Sequence, residues 1–330
     1  MITKLTLEGF KSFVYDTLEL RKLTVLAGLN SSGKSSIIQA LLMLEKAAKG
    51  EEFLLEGHGD LRELKNRYSQ NLMLEAVLNE DETSSVVITE QQEVSSTQPA
   101  FPSIIHISAE RFGPETSVDI FIGDNYKLGK RGENIFKCIE HYEREEIAPA
   151  IKHPDSEGDT FGFNLKAWLN VIAPNTKFDY FIQKKSDSSY ATFNEYRAKN
   201  VGFGLSYTLP IITALLLGSI TPNSLVILEN PEAHLHPRGQ TEIAKLIACC
   251  VQAGTHVIVE THSDHLLTGI RLFAKKDTED FYKAVKCYWF EPDNQNNTTV
   301  AEIEINENGR FDDCPTGFFD QFEINASQLL

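Results

Sequence analysis

Lys22-Leu23-Thr24-Val25-Leu26-Ala27, then Gly28-Leu29-Asn30-Ser31-Ser32-Gly33-Lys34-Ser35, then Ser36-Ile37-Ile38-Gln39-Ala40-Leu41-Leu42-Met43-Leu44, reads as strand, glycine turn and helix. The first run has the continuous apolar character of a buried strand, and the last has helical apolar spacing. The octapeptide between them fits G-x-x-x-x-G-K-[ST] at each fixed position. In such a turn successive backbone N–H groups point at an anion, and the helix N-terminus adds the positive end of its dipole. Gly28, Asn30, Ser31, Ser32 and Gly33 would form the cradle, with Ser36 at the helix start. Lys34 would lie on the β/γ-phosphates and the Ser35 hydroxyl on the accompanying Mg²⁺. The context predicts a nucleoside triphosphate site.

Working outward, 330 residues can bury a full core in one large or two ordinary domains. Hydrophobic residues at 42% and charged residues at 24% are ordinary for a globular protein. Charges interrupt every apolar run from Met1 to Phe13, so no signal peptide is predicted. The longest apolar segment, about Leu209 to Ile220, is too short to span a bilayer and reads as a core helix, so no membrane partner is expected. Cys138, Cys249, Cys250, Cys287 and Cys314 are scattered and lack C-x-x-C spacing, which predicts a reduced, cytoplasmic chain.

The net charge of −16 argues against a protein that grips DNA by itself, because phosphate contacts call for a broad basic face. Basic residues come only in pairs: Lys130-Arg131, Lys184-Lys185 and Lys275-Lys276. Any nucleic-acid contact is expected through a partner or a dimer groove.

Residues 2–27 predict strands around a tight turn at Gly9-Phe10-Lys11-Ser12-Phe13, and Leu72–Leu78, Ser85–Ile88 and Ile104–Ser108 predict further strands. Glu90–Gln98 reads as a loop. Residues 131–200 read as helices followed by short strands, Phe178–Ile182 and Tyr190–Tyr196. From Asn200 the order is glycine turn, apolar helix Tyr207–Leu217, strand Ser224–Leu228, helix Gln240–Gln252 and strand His256–Glu260. That alternation predicts a mostly parallel sheet with helices on both faces.

Two strand ends carry candidate chemistry. Leu225-Val226-Ile227-Leu228 runs into Glu229-Asn230-Pro231-Glu232, where a nucleotide hydrolase needs one carboxylate for Mg²⁺ and another to orient water. Val257–Asp264 places His262 just after the next strand, in plausible reach of a γ-phosphate. Gly202-Phe203-Gly204-Leu205-Ser206, at a helix start, is a second potential anion nest.

With these elements the chain resembles the ATP-binding-cassette ATPases of the SMC, RecF, Rad50 and OLD group, without long coiled-coil arms. The resemblance rests on Leu5–Phe13, the phosphate loop Gly28–Ser35, Glu229–Pro237 and Glu260–Asp264. Asn308-Gly309-Arg310 through Pro315–Asp320 is similar to a tail found in one subfamily. The resemblance implies an α/β fold, a P-loop NTPase with an ABC-type head: a RecA-like lobe with a mostly parallel sheet, an antiparallel β lobe and a helical insertion. The expected segments are 1–50 with 200–295 as ATPase core, 51–199 as β lobe and insertion, and 296–330 as tail. It also implies ATP and Mg as cofactors, and a homodimer or higher oligomer in which Gly202, Gly204 and Ser206 of one subunit close over the ATP of the other. A protein effector, a nuclease or toxin acting in bacteriophage defence or DNA maintenance, is a further implication.

Two departures bear on mechanism. The group has Asp-Glu where this chain has Glu229-Asn230. Asn230 cannot accept a proton, so orienting water would pass to Glu232 or be largely lost, and slow, switch-like turnover is expected. No Gln-loop glutamine stands out, and Arg111 after the strand ending at Ser108 is the candidate there, near phosphate. Two rivals are a nucleotide-gated scaffold that scarcely hydrolyses, and a metal-dependent hydrolase using His234, His236, His262 and His265. A transporter subunit is less favoured, because Gly9–Phe13 belongs to the SMC-like pattern.

Overall fold

The computed structural model describes residues 1–78, 85–91, 93–96, 101–277, 279–312, 314–315 and 317–329. In chain order the elements are β1 (Lys4–Phe10), β2 (Phe13–Glu19), β3 (Leu23–Gly28), α1 (Lys34–Ala48), α2 (Leu61–Leu64), β4 (Met73–Val77), β5 (Ser85–Thr89), β6 (Val94–Ser96) and β7 (Ser103–Ile107). Then come β8 (Val118–Asp119), α3 (Ile135–Tyr142), α4 (Phe161–Ile172), β9 (Phe178–Gln183), β10 (Ser188–Phe193), β11 (Tyr196–Arg197) and α5 (Phe203–Ile220). The chain closes with β12 (Ser224–Glu229), α6 (Pro237–Gln252), β13 (His256–Glu260), α7 (Asp264–Lys276), β14 (Val285–Pro292), β15 (Thr298–Ile303) and α8 (Gln321–Leu329). Packing divides the chain into Met1–Ile104 with Tyr282–Leu330, and Ile105–Phe281.

The first unit holds an antiparallel sheet ordered β2-β1-β4-β5-β6. Phe10 pairs with Phe13 across the β1–β2 turn, where Lys11 takes φ 53°. The alternation of Leu5 and Leu7 puts both in the core; α1 packs on β4 and β5, and its Ile37, Ile38, Leu41 and Leu44 are buried. Each such side chain contributes about 1.5–3 kcal/mol on burial. The unit also contains β3, parallel to β14, which is antiparallel to β15.

Part of the expected loop at 90–98 is instead the strand β6, antiparallel to β5. Val94-Ser95-Ser96 is short and polar, but the open edge of β5 supplies its pairing partners. Gln92, Thr97 and Gln98 lie outside the described residues. The strand expected at Tyr190–Tyr196 is broken in two, because Asn194 and Glu195 both take positive φ, 51° and 69°, in a tight turn that pairs Phe193 with Tyr196. That conformation is the one a two-residue hairpin favours.

Asp16 in β2 tests the first unit's electrostatics. Burial pushes its carboxyl up to about 6. Because the folded chain holds this proton more tightly than the unfolded chain, the contribution of Asp16 to stability is fully present below pH 4 and is lost as pH rises through about 6. Asp16→Asn is therefore expected to melt above the parent at pH 8, with the gap closing by pH 4. A gap that is constant with pH in thermal denaturation would refute this.

In the second unit β12 and β13 are parallel, in register from Leu225↔His256 to Glu229↔Glu260. Helix α5 packs on β12, and α6 packs on β13 and α7. The helix is apolar all round, and Thr208–Gly218 is buried throughout. It is the one helix among the described residues long and apolar enough to cross a bilayer, and its burial is that of a core helix. It begins at Phe203, earlier than the expected Tyr207, so Gly204 and Ser206 sit in its first turn rather than in a loop before it. Leu205 and Leu209 continue the apolar pattern through the glycines, and this overrides their low helix propensity.

In α4 the Trp168 side chain is buried, with Nε1 donating to Ile151 O at 2.9 Å. Of the basic pairs, Lys275-Lys276 ends α7, where it complements the helix dipole. Arg131 stacks on Phe112, and Lys184-Lys185 is exposed beside the β9–β10 turn.

Candidate functional site

The phosphate loop follows from how β3 meets α1. Leu23–Gly28 is buried from end to end, so the chain must leave the sheet abruptly, and Ser31 takes φ 59° in the turn. Gly28 and Gly33 both have positive φ, and a Cβ on either would lie 2.2 Å from Phe290 O and 2.4 Å from Thr298 Oγ1 respectively. Leu29 N donates to Phe290 O at 3.1 Å, and Thr298 Oγ1 donates to Ser32 O at 2.9 Å. The loop is thus seated on β14 and β15.

Its upper face suits an anion. Gly33 caps α1 without a side-chain hydrogen bond, and the first turn of the helix holds no acidic residue. The buried Lys34 donates through Nζ to Gly28 O at 3.2 Å and Leu29 O at 2.7 Å, and so curls over the loop. Ser32 Oγ donates to Leu29 O at 2.7 Å. Ser32 and Ser36 are buried, whereas Asn30, Ser31 and Ser35 are exposed. A helix N-terminus with no first-turn acid and a lysine beside it suit a triphosphate.

In the second unit the end of β12 gathers three predicted residues. Glu229 Oε1 lies 2.7 Å from His106 Nε2, and Oε2 accepts from Ala109 N at 3.1 Å. Burial would raise the Glu229 carboxyl, but the His106 contact, the Ala109 N–H and the nearby Arg111 outweigh it and hold the group below its ordinary value. The carboxylate is kept ionised, as a magnesium ligand must be.

Asn230 adopts φ 45°, a left-handed conformation that asparagine tolerates better than most residues. Its N–H donates to Glu260 O at 2.8 Å, and its buried Oδ1 has no partner in the described structure. Glu232 Oε1 accepts from His262 N at 2.9 Å, while Oε2 is buried without a partner. Burial lifts the Glu232 carboxyl above its ordinary value, although the His262 N–H, Thr261 and Arg111 oppose the rise. A half-buried carboxylate with raised proton affinity and one bare oxygen has the character of a general base. The His262 residue itself is exposed, immediately before the Ser263 cap of α7.

Arg111 is not presented to solvent. It is 3% exposed and donates to Ser108 O, Glu229 O and Asn230 O. Burial lowers its pKa to about 10, against the pull of Glu232, Tyr207 and Glu229. Gly202 caps α5 in an extended conformation, again with no side-chain cap and no acidic residue in the first turn.

His106 and Tyr207 escaped the sequence reading. His106 sits within an apolar strand and meets Glu229 across 123 positions, so no local spacing reveals it. Two of the four histidines of the metal-hydrolase reading have separate surroundings: His236 Nδ1 accepts from Arg238 N to cap α6, and His234 packs on Tyr207. Among the described residues no three or more His, Cys, Asp or Glu side chains gather as a metal-binding group.

A family model described as an AAA ATPase domain matches residues 1–98 and 62–267, and a second, described as "Protein of unknown function (DUF3696)", matches 282–329. Comparison with curated proteins gives no match. Among solved structures, an SMC head bound to the C-winged helix domain of ScpA is 15% identical, with TM-score 0.58 over 93% of this chain and 98% of that one. An SMC head with an extended coiled coil, bound to the C-terminal domain of ScpA derived from Pyrococcus furiosus, is 13% identical, with TM-score 0.54 over 100% and 99%. The SMC head domain from Thermotoga maritima is 14% identical, with TM-score 0.50 over 92% and 99%. At these identities the likeness is one of fold: the ABC-type P-loop head, with its parallel and antiparallel sheets.

Proposed function

The chain belongs to the AAA ATPase domain family, and from that premise we propose that it binds ATP with Mg²⁺, hydrolyses it slowly and dimerises head to head around it. The observation that carries this reading is the start of α1, capped without a side chain, free of first-turn acid and overlaid by Lys34. In the proposed complex Lys34 contacts the β/γ-phosphates, and the Ser35 hydroxyl and Glu229 carboxylate serve magnesium. Magnesium bound there neutralises charge on the transferring phosphoryl group. Glu232 orients water and accepts its proton, and His262 attends the γ-phosphate. Residues 1–50 and 200–295 would act as the ATPase core, 51–199 as β lobe and insertion, and 296–330 as tail.

Asn230 supports slow turnover, since an amide cannot take the proton that the carboxylate at that place would take. The same amide favours a second reading, a nucleotide-gated scaffold that scarcely hydrolyses. The uncapped start of α5 at Gly202, with Gly204 and Ser206 in its first turn, supports it as the surface that closes over the nucleotide of a second copy. Two SMC heads of similar fold are bound to domains of ScpA, which supports a protein partner here too. A nuclease or toxin controlled by the nucleotide state, in antiviral defence in the cytoplasm, fits that scheme.

Titration with a fluorescent adenine nucleotide is expected to show saturable, Mg²⁺-dependent binding. Single-turnover hydrolysis should be measurable and multiple turnover slow. Well-folded protein without saturable uptake would overturn the proposal, and rapid multiple turnover would overturn its slow-switch part.

A further inference from the structure

Arg111 is buried, and its guanidinium donates to three main-chain oxygens. Nη1 donates to Ser108 O at 2.9 Å and Glu229 O at 2.6 Å, and Nη2 to Asn230 O at 2.8 Å. Nε is buried without a partner in the described structure. A rigid fork of donors across two successive carbonyls fixes the peptide planes between them. Those planes determine where the side chains of Glu229 and Asn230 leave the chain, and they hold the positive φ of Asn230.

The fork is itself held from one side. The Arg111 guanidinium carbon lies 5.5 Å from the centre of the Tyr207 ring, in the cation–π range. Tyr207 meets His234 edge-on at 4.5 Å, and Phe203 lies 5.7 Å from the same imidazole. Gly204 comes so close to this turn that a Cβ would stand 2.9 Å from His234 O. Phe203, Gly204 and Tyr207 all belong to the first turns of α5, and His234 follows the acidic segment by two residues. The start of α5 and the acidic turn are therefore one packed cluster, with Arg111 between them.

We propose that Arg111 is a positioning residue that aims the Glu229–Asn230 turn, and that Tyr207, clamped on His234, couples the start of α5 to that aim. This rests on the ATPase reading above, and it assigns Arg111 to the carboxylates in place of direct phosphate contact. A change at Gly202–Ser206, such as engagement by a second subunit, reaches the acidic turn through the ring of Tyr207. The balance is mechanical, and no bond to substrate is needed from Arg111.

The test separates binding from chemistry in the full-length chain. Arg111→Lys keeps the charge and loses the fork; its ATP affinity should stay within about twofold of the parent, while the single-turnover rate falls about tenfold or more. Tyr207→Leu removes the ring and should slow the same step about three- to tenfold at unchanged ATP affinity, with Tyr207→Phe restoring at least half of that loss. If Arg111→Lys hydrolyses at the parental rate, or loses ATP affinity about tenfold as a direct phosphate ligand would, the inference is wrong. Should Arg111→Lys fail to fold, the Tyr207 pair decides, and equal rates for Leu and Phe overturn the coupling. A parent that neither binds nor hydrolyses ATP would instead refute the reading on which the inference rests.

Discussion

Replacing Lys34 with alanine is expected to abolish measurable ATP binding while leaving the fold in place. The side chain is buried over the loop, with its Nζ on the Gly28 and Leu29 carbonyls, within reach of an anion seated on the α1 amides. Each charge-assisted contact is worth about 1.5–3 kcal/mol, so losing two weakens affinity by roughly 10²- to 10⁴-fold. The melting temperature of the ligand-free variant should stay close to that of the parent, because Phe290 and Thr298 still seat the loop when the two lysine bonds to Gly28 O and Leu29 O are lost. The parent should gain thermal stability from ATP and Mg²⁺, and the variant should not. Equal stabilisation of both by nucleotide would place the triphosphate elsewhere.

Glu232→Gln is the second large effect expected. The amide keeps an oxygen to accept the His262 N–H, so geometry is retained while the proton acceptor is lost. Nucleotide affinity should be unchanged, and the single-turnover rate should fall by about 10²–10⁴. The trapped ATP state should accumulate as a dimer in analytical ultracentrifugation. In the parent, because burial lifts the Glu232 carboxyl, hydrolysis should fail on acidification at a higher pH than an ordinary carboxylate would give. A glutamine variant as fast as the parent would return the water-orienting role to another group.

What could be read from the residues alone was local. The phosphate loop is eight consecutive residues between a strand and a helix, and its spacing carries its chemistry. The ends of β12 and β13 were legible for the same reason, since an apolar run closing on carboxylates or histidine is visible in a short window. The contacts that hold those ends were not. His106 and Arg111 reach Glu229 from more than a hundred positions away, and Tyr207 was read only as the start of an apolar helix. The departure at Asn230, read as a loss for catalysis, has a conformational account as well, because the turn requires a positive φ there. The strand at Val94–Ser96 was missed because its pairing with β5 outweighs its weak intrinsic preference.

The seating of the loop has a consequence for biosynthesis. Ser32 waits for Thr298, 266 positions later, and Leu29 waits for Phe290, because the second unit is encoded between the two halves of the first. At ribosomal speeds of about 5–20 residues per second, roughly 13–53 s pass between synthesis of Ser32 and of the strand beneath it. During that interval a nascent chain has the motif and not the pocket. A polypeptide released before Phe290 would carry the phosphate-loop sequence without the strand that seats it.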